Sequence, residues 1–152
     1  MADHAPTTSA VRDFLVALPA PFCTLATINE DGSPLQAVLW YALRDEGAIL
    51  LNSAVGRRWP TNLVRDRRGS IMVGDAYAWV SVRGTVEVID DREQAYEDIA
   101  MLTRRYHAGD EETIARALRG FRAQDRIFRF GGEEFVILLR SATLATARQI
   151  FN

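Results

Sequence analysis

The chain has 152 residues, 48% of them hydrophobic and 25% charged, with a formal net charge of −2, the profile of a single globular domain able to bury a core. A pI of about 5.7 excludes the basic footprint of a sequence-independent nucleic-acid binder. All 18 cationic side chains are arginine, which excludes chemistry that needs a lysine amine, such as a Schiff base.

Residues 1–10, MADHAPTTSA, are polar and read as a flexible N-terminus, leaving 11–152 as one domain. They lack the basic and apolar regions of a signal peptide, and no stretch reaches the roughly 18 apolar residues of a membrane span. The lone Cys23 forms no internal disulfide. A soluble, cytoplasmic protein with no membrane partner is expected, Cys23 in FCTLATI being a buried, inert thiol.

Ala10 to Leu18 has helical spacing, with Val11, Phe14, Leu15 and Leu18 on one face, and Pro19 and Pro21 stop it. Phe22 to Ile28 reads as a strand, Asn29-Glu30-Asp31-Gly32 as a turn, and Pro34 to Leu43 as the second strand of a hairpin. Arg44-Asp45-Glu46-Gly47 makes the next turn, and Ala48 to Leu51 the third strand. A two-turn helix ends at Arg65, followed by strands at Ser70 to Val73 and Trp79 to Ile89, where Gly84 predicts a bulge or bend. Asp90-Asp91 caps a helix from Arg92 to His107, and a further helix spans Glu111 to Phe121. Asp125 to Phe130 and Glu134 to Leu139 are the closing strands, split at Gly131-Gly132. Antiparallel strands on tight turns, with helices confined to insertions, predict a small β-barrel or rolled sheet.

The chemistry concentrates between Leu50 and Val73. Apolar alternation ends at Leu51, Asn52, Ser53 and Gly56 offer polar groups, and Arg57 and Arg58 open a helix at Pro60. A helix N-terminus with two guanidiniums suits a phosphate or another anionic tail; the same residues also suit a solvated basic turn. No G-x-G-x-x-G follows a strand, and a chain without lysine cannot form the G-x-x-x-x-G-K-[ST] loop.

TLATINEDGSPLQAVLWY, NLVRDRRGSIMV after the Arg pair, WVSVRGTVEVIDD, DIAMLTRRYH and FRAQDRIFRF, in that order, cover nearly the whole chain. Together they resemble the pyridoxamine 5′-phosphate oxidase-like family of flavin and deazaflavin split barrels, nearest its branch that uses coenzyme F420. The resemblance implies a mainly β, β-rich α+β fold: a six- to seven-stranded antiparallel split β-barrel with peripheral helices. It implies a homodimer with the cofactor at the interface. Carried onto this sequence, the ring would lie along Gln36, Ala37, Val38, Leu39, Trp40 and Tyr41, largely through backbone groups. The third-strand pair would be Asn52 and Ser53, the phosphate-binding pair Arg58 and Trp59 beside Arg57, and the helix anchor Asn62 with Leu63. Trp79 falls where a residue reaches the ring from the neighbouring subunit.

Two departures bear on the cofactor. The cationic residues that grip the flavin phosphate in the oxidase proper correspond to Gln36 and Tyr41, and the helix lysine to Trp59. Arg57 and Arg58 remain, which suits a phosphodiester tail held at one end, so the resemblance implies F420, with FMN as the alternative. Trp59 could cover the ring or pack beneath the loop. The implied activity is hydride transfer between reduced deazaflavin and an unidentified small-molecule substrate, the protein supplying orientation and a dry pocket. An FMN enzyme, or a non-catalytic barrel that binds cofactor or a tetrapyrrole, is the other reading.

RFGGEEFVILL resembles the diguanylate cyclase signature, but the upstream metal-binding Asp and Asp-x-Leu-Thr opening are missing, so Gly131 to Phe135 reads as a hairpin turn. His4 and His107 share no scaffold for a metal. No G-x-S-x-G occurs to present a nucleophilic serine. Arg104 and Arg105 suit the dipole at the end of their helix.

Overall fold

In the computed structural model, which describes residues 9–53, 57–89, 91–120 and 126–139, alternating apolar residues turn one face of each strand toward a shared interior. The elements are α1 (Ser9–Val16), β1 (Cys23–Ile28), β2 (Pro34–Leu39), β3 (Ala42–Leu43), β4 (Ile49–Ser53), α2 (Arg58–Arg65), β5 (Arg68–Gly74), β6 (Ala78–Ile89), α3 (Arg92–Tyr106), α4 (Glu111–Arg119) and β7 (Arg126–Leu139). The seven strands form one sheet in the order β2-β1-β5-β6-β7-β4-β3, and every pairing is antiparallel. Its outermost strands, β2 and β3, are consecutive in the chain, with only Trp40 and Tyr41 between them. Two residues span less than about 10 Å, so the sheet curls until its edges nearly meet. The expected split barrel is this curled half-barrel, which among the described residues has seven strands with four helices around it.

Two expected elements are corrected. Pro34 to Leu43 is divided: Pro34–Leu39 pairs with β1 at one edge, and Ala42–Leu43 with β4 at the other. The two closing strands are instead one. Arg126–Leu139 runs without a turn through Gly131-Gly132, pairing with β6 along its length and with β4 over Arg126 to Phe130. Arg83 faces Glu134 whereas Gly84 faces Gly132, so Glu133 is an extra residue. A glycine on each strand lets the two backbones absorb it as a bulge. Gly84 thus produces the predicted irregularity, and the GGEEF turn does not exist.

The hairpin turn at Asn29 to Ser33 forms as expected. Asn29 N–H donates to Ser33 O at 2.8 Å, Gly32 takes the φ of 83° that favours glycine, and Asp31 accepts from the Ser33 N–H and hydroxyl. Residues 1–8, Asp90 and Phe121 lie outside the described residues, while Ser9 and Ala10 already belong to α1. Asp91 caps α3 by accepting from Gln94 N–H at 2.9 Å. Among the described residues, no helix is long and apolar enough to cross a membrane.

Inside the barrel, Leu25, Ile71, Val80, Val82 and Phe128 are fully buried, and Val11 and Leu15 of α1 join them. The run Ile49-Leu50-Leu51 is buried throughout because β4 has two covered faces. Ile49 and Leu51 enter the barrel core, while Leu50 packs with Ala42 and with Ile99 and Leu102 of α3. α3 is fastened there by hydrogen bonds to Asp98. Asp98, 1% exposed, accepts from Arg44 Nη1 at 2.7 Å and Gln94 Nε2 at 3.1 Å. Burial pushes its carboxyl above the usual range, against the opposing pull of Arg44.

A raised folded-state value means that the native protein holds this proton more tightly than the unfolded chain. The group's contribution to stability is then full below 3.8, its ordinary value, and is lost as pH climbs through the raised one. Asp98→Asn should flatten the dependence of unfolding free energy on pH just above that range, as read from urea titrations at several pH values. A variant that kept the wild-type slope would assign it to other groups.

Candidate active site at the seam of the barrel

Where the chain crosses from β2 to β3, two residues have no ladder to satisfy their backbone, and α3 supplies the partner. The Tyr106 hydroxyl accepts from Tyr41 N–H at 3.0 Å and donates to Pro21 O at 2.8 Å. The Tyr41 phenol turns inward, fully buried, and donates to Leu15 O at 2.7 Å; burial pushes its pKa up to about 12. Arg105 lies over the Tyr41 ring, its carbon 5.1 Å from the centroid. Its guanidinium donates to Leu15 O at 2.9 Å, Val16 O at 3.3 Å and Ala17 O at 3.4 Å. Arg105 therefore caps the carbonyl end of α1 rather than only answering the dipole of its own helix.

Trp40, fixed by this crossing, forms one wall of a cleft of about 370 Å³ lined by Phe22, Val38, Leu39, Trp40, Asn52 and Arg57. The Trp40 indole stacks on Tyr106, with centroids 4.8 Å apart and planes 7° apart, and the His107 ring makes a T-shaped contact with it, centroids 5.1 Å apart and planes 71° apart. Phe22 stacks on Tyr106 at 5.7 Å.

Arg57 reaches the cleft because α2 is pinned at its far end. Asn62, 3% exposed, donates through Nδ2 to Thr27 Oγ1 at 3.1 Å and Asn29 Oδ1 at 3.0 Å, and Arg65 donates to Ile28 O. Arg57 is the N-cap, in extended conformation and without a side-chain capping bond.

Of the residues singled out in the sequence, Val38, Leu39, Trp40, Asn52 and Arg57 come together around the cleft. Gln36 is exposed and Ala37 half-buried on β2, outside the cleft lining. Tyr41, Trp59 and Asn62 send their side chains inward, Trp59 against Phe128 at 5.0 Å. Ser53 is buried and pairs with Arg126. Arg58 is exposed beside the hairpin turn, where it helps, least of several causes, to hold Asp31 below the usual carboxylate range. Trp79 pairs with Gly74 and Leu138, away from the cleft lining. Sequence reasoning missed Phe22, which reads as an ordinary strand start, and also Tyr106. The latter had a signal: Ala95, Ile99, Leu102 and Tyr106 follow the helical spacing of a buried face.

These features define a class, the split β-barrels with a cleft at the seam between sheet edges. Residues 7–125 match the pyridoxamine 5′-phosphate oxidase family, and the chain belongs to it. No curated protein matches the chain. Among solved structures, a conserved hypothetical protein from Mycobacterium tuberculosis is 24% identical with a TM-score of 0.72, over 93% of this chain and 89% of that one. An F420 reductase is 22% identical with a TM-score of 0.61, over 82% of this chain and 94% of that one. A pyridoxamine 5′-phosphate oxidase-related, FMN-binding protein from Nostoc punctiforme is 11% identical with a TM-score of 0.65, over 93% and 88%. At these identities the likeness is one of fold.

Cys23, fully buried on β1, has its thiol pushed up to about 12 by burial, so it is no nucleophile. In the native protein it should resist a thiol reagent such as dithionitrobenzoate and react only after denaturant is added. Rapid reaction of the folded protein would contradict its place in the core.

Proposed function

We propose that this protein is an oxidoreductase that uses coenzyme F420 to transfer a hydride to or from a small molecule. The charge content of the cleft carries the reading. Arg57 is the single cation among its described lining residues. The two strand positions where the resemblance sets cationic phosphate grips hold Gln36, outside the lining, and Tyr41, whose phenol is sealed in the core. A flavin monophosphate ends in a dianion that calls for several paired donors once desolvated, whereas the phosphate of F420 is a diester whose single charge one guanidinium can meet, the carboxylates further along that tail lying beyond this contact. The fold likeness extends to an F420 reductase and to an FMN-binding protein alike, so the choice between the two cofactors rests on the charge content of the cleft.

The residues present fit a tricyclic ring with polar edges. β2 is the first strand of the sheet, so among the described residues its outer edge offers unpaired backbone donors and acceptors. Val38, Leu39 and Trp40 supply apolar contact, and Asn52 an amide. When bound, the cofactor supplies the hydride chemistry. The chain's own part is to orient the ring along β2, to exclude water with Phe22 and Trp40, and to hold the tail at Arg57.

Absorbance titrations of the purified protein should show F420 binding at least about tenfold more tightly than FMN, a difference of about 1.4 kcal/mol. Arg57→Ala should weaken F420 binding by about 1.5–3 kcal/mol, the range for a charge-assisted hydrogen bond, with the circular dichroism spectrum unchanged. Arg58→Ala should cost less. Equal curves for the two cofactors would transfer the assignment to FMN.

The site also points to a homodimer. Leu18, Phe22 and Val38 are 72%, 56% and 68% exposed, and Phe22 and Val38 stand on the cleft itself, an arrangement that a second copy would cover. Sedimentation at micromolar concentration should give a dimer. A monomer would count against the shared-site reading.

A further inference from the structure

We infer that Tyr106 is the positioning residue of the cleft, setting the separation of its aromatic walls, Phe22 and Trp40, and with it the room for a planar ring. The last clause rests on the cofactor reading above; the first does not. Tyr106 holds each wall twice. Its ring stacks on Trp40 at 4.8 Å and on Phe22 at 5.7 Å, nearly parallel to the first and 25° from the second. Its hydroxyl binds the backbone next to each: Tyr41 N–H at 3.0 Å, following Trp40, and Pro21 O at 2.8 Å, preceding Phe22. The two walls come from different segments, the approach to β1 and the crossing after β2, and between them only this side chain from α3 supplies both ring contact and backbone hydrogen bonds among the described residues. Acting as acceptor and donor, the hydroxyl joins the backbones behind the two walls, a link that phenylalanine could not make.

The site needs such a brace because Trp40 lies outside the sheet, in the break between Leu39 and Ala42. Its neighbour's N–H would otherwise be unpaired in a half-buried place. Phe22 likewise precedes β1 and is 56% exposed. Loss of the ring frees both walls, whereas loss of the hydroxyl alone keeps the stack and frees the backbone.

The chain has 3 tryptophans, so 5-fluorotryptophan labelling gives three fluorine resonances, and Trp40→Phe identifies the one from the cleft. Trp59, against Phe128, and Trp79, on β6, serve as internal references. Loss of the ring in Tyr106→Leu removes a ring current beside Trp40 whatever the indole does, so Tyr106→Phe, which keeps the ring, carries the test: its Trp40 resonance should shift or broaden while the other two hold. F420 titrations should show about tenfold weaker binding for the leucine variant, with the phenylalanine variant between it and wild type. If the leucine variant fails to fold, the phenylalanine variant decides. A Trp40 resonance unmoved, or all three moving alike as for general loosening, overturns the positioning role. Unchanged affinity beside a displaced Trp40 overturns the link to ring binding. Wild-type protein that binds neither F420 nor FMN sinks the cofactor reading, and the fluorine spectra still judge the brace.

Discussion

Trp40 and Tyr41 carry the chain from one edge of the sheet to the other, and the hydroxyl of Tyr106 is what makes that passage tolerable. A backbone N–H left unpaired where water is scarce costs about 1–3 kcal/mol, and here the partner comes from a helix far along the chain. Because the same tyrosine also faces Pro21, the strand approach, the crossing and α3 are held as one unit. Arg105, one residue earlier, ties α1 to this unit through Leu15 and Ala17. Its planar fork reaches carbonyls that a lysine ammonium could serve less well.

A second fastening holds α2. Asn62 spends both Nδ2 hydrogens on Thr27 and Asn29, so α2 cannot slide along β1, and its first residues stay aimed at the seam. The aromatic wall is thus set from α3 and the guanidinium from α2. Neither depends on the other, so the aromatic wall and the cation of the cleft are set independently.

Much of the fold was legible because half-covered strands carry their own signature. β6 alternates buried Val80, Val82 and Val86 with exposed Arg83, Thr85 and Glu87, and its turn chemistry is local. The two errors share a cause: periodicity says nothing about partners. Pro34 to Leu43 alternates as one strand, yet its halves pair at opposite edges; Gly131-Gly132 has turn composition, yet a glycine on the neighbouring strand turns it into a bulge. The site was legible to the extent that its residues are close in sequence. Trp40, Asn52 and Arg57 surround a turn and a helix start, whereas Phe22 and Tyr106 meet only through the curl of the sheet. Asn62 shows the converse: a motif residue is present, but its amide is consumed in holding the helix.

The place of β7 in the sheet has a consequence for how the chain acquires its shape. β7 lies between β6 and β4 and comes after both in sequence, so before it is made the sheet exists as two unconnected pieces. One is β2-β1-β5-β6, two hairpins joined by the longer-range pairing of β1 with β5; the other is the β3-β4 pair, too small to persist by itself. During synthesis, the inner edges of β6 and β4 remain open until the last strand is available to join them. Closure of the barrel is therefore a late, long-range event, dominated by the entropy of bringing distant segments together. The nascent chain exposes sticky strand edges up to that moment, and a chaperone that shields them would act on the chain before β7 arrives.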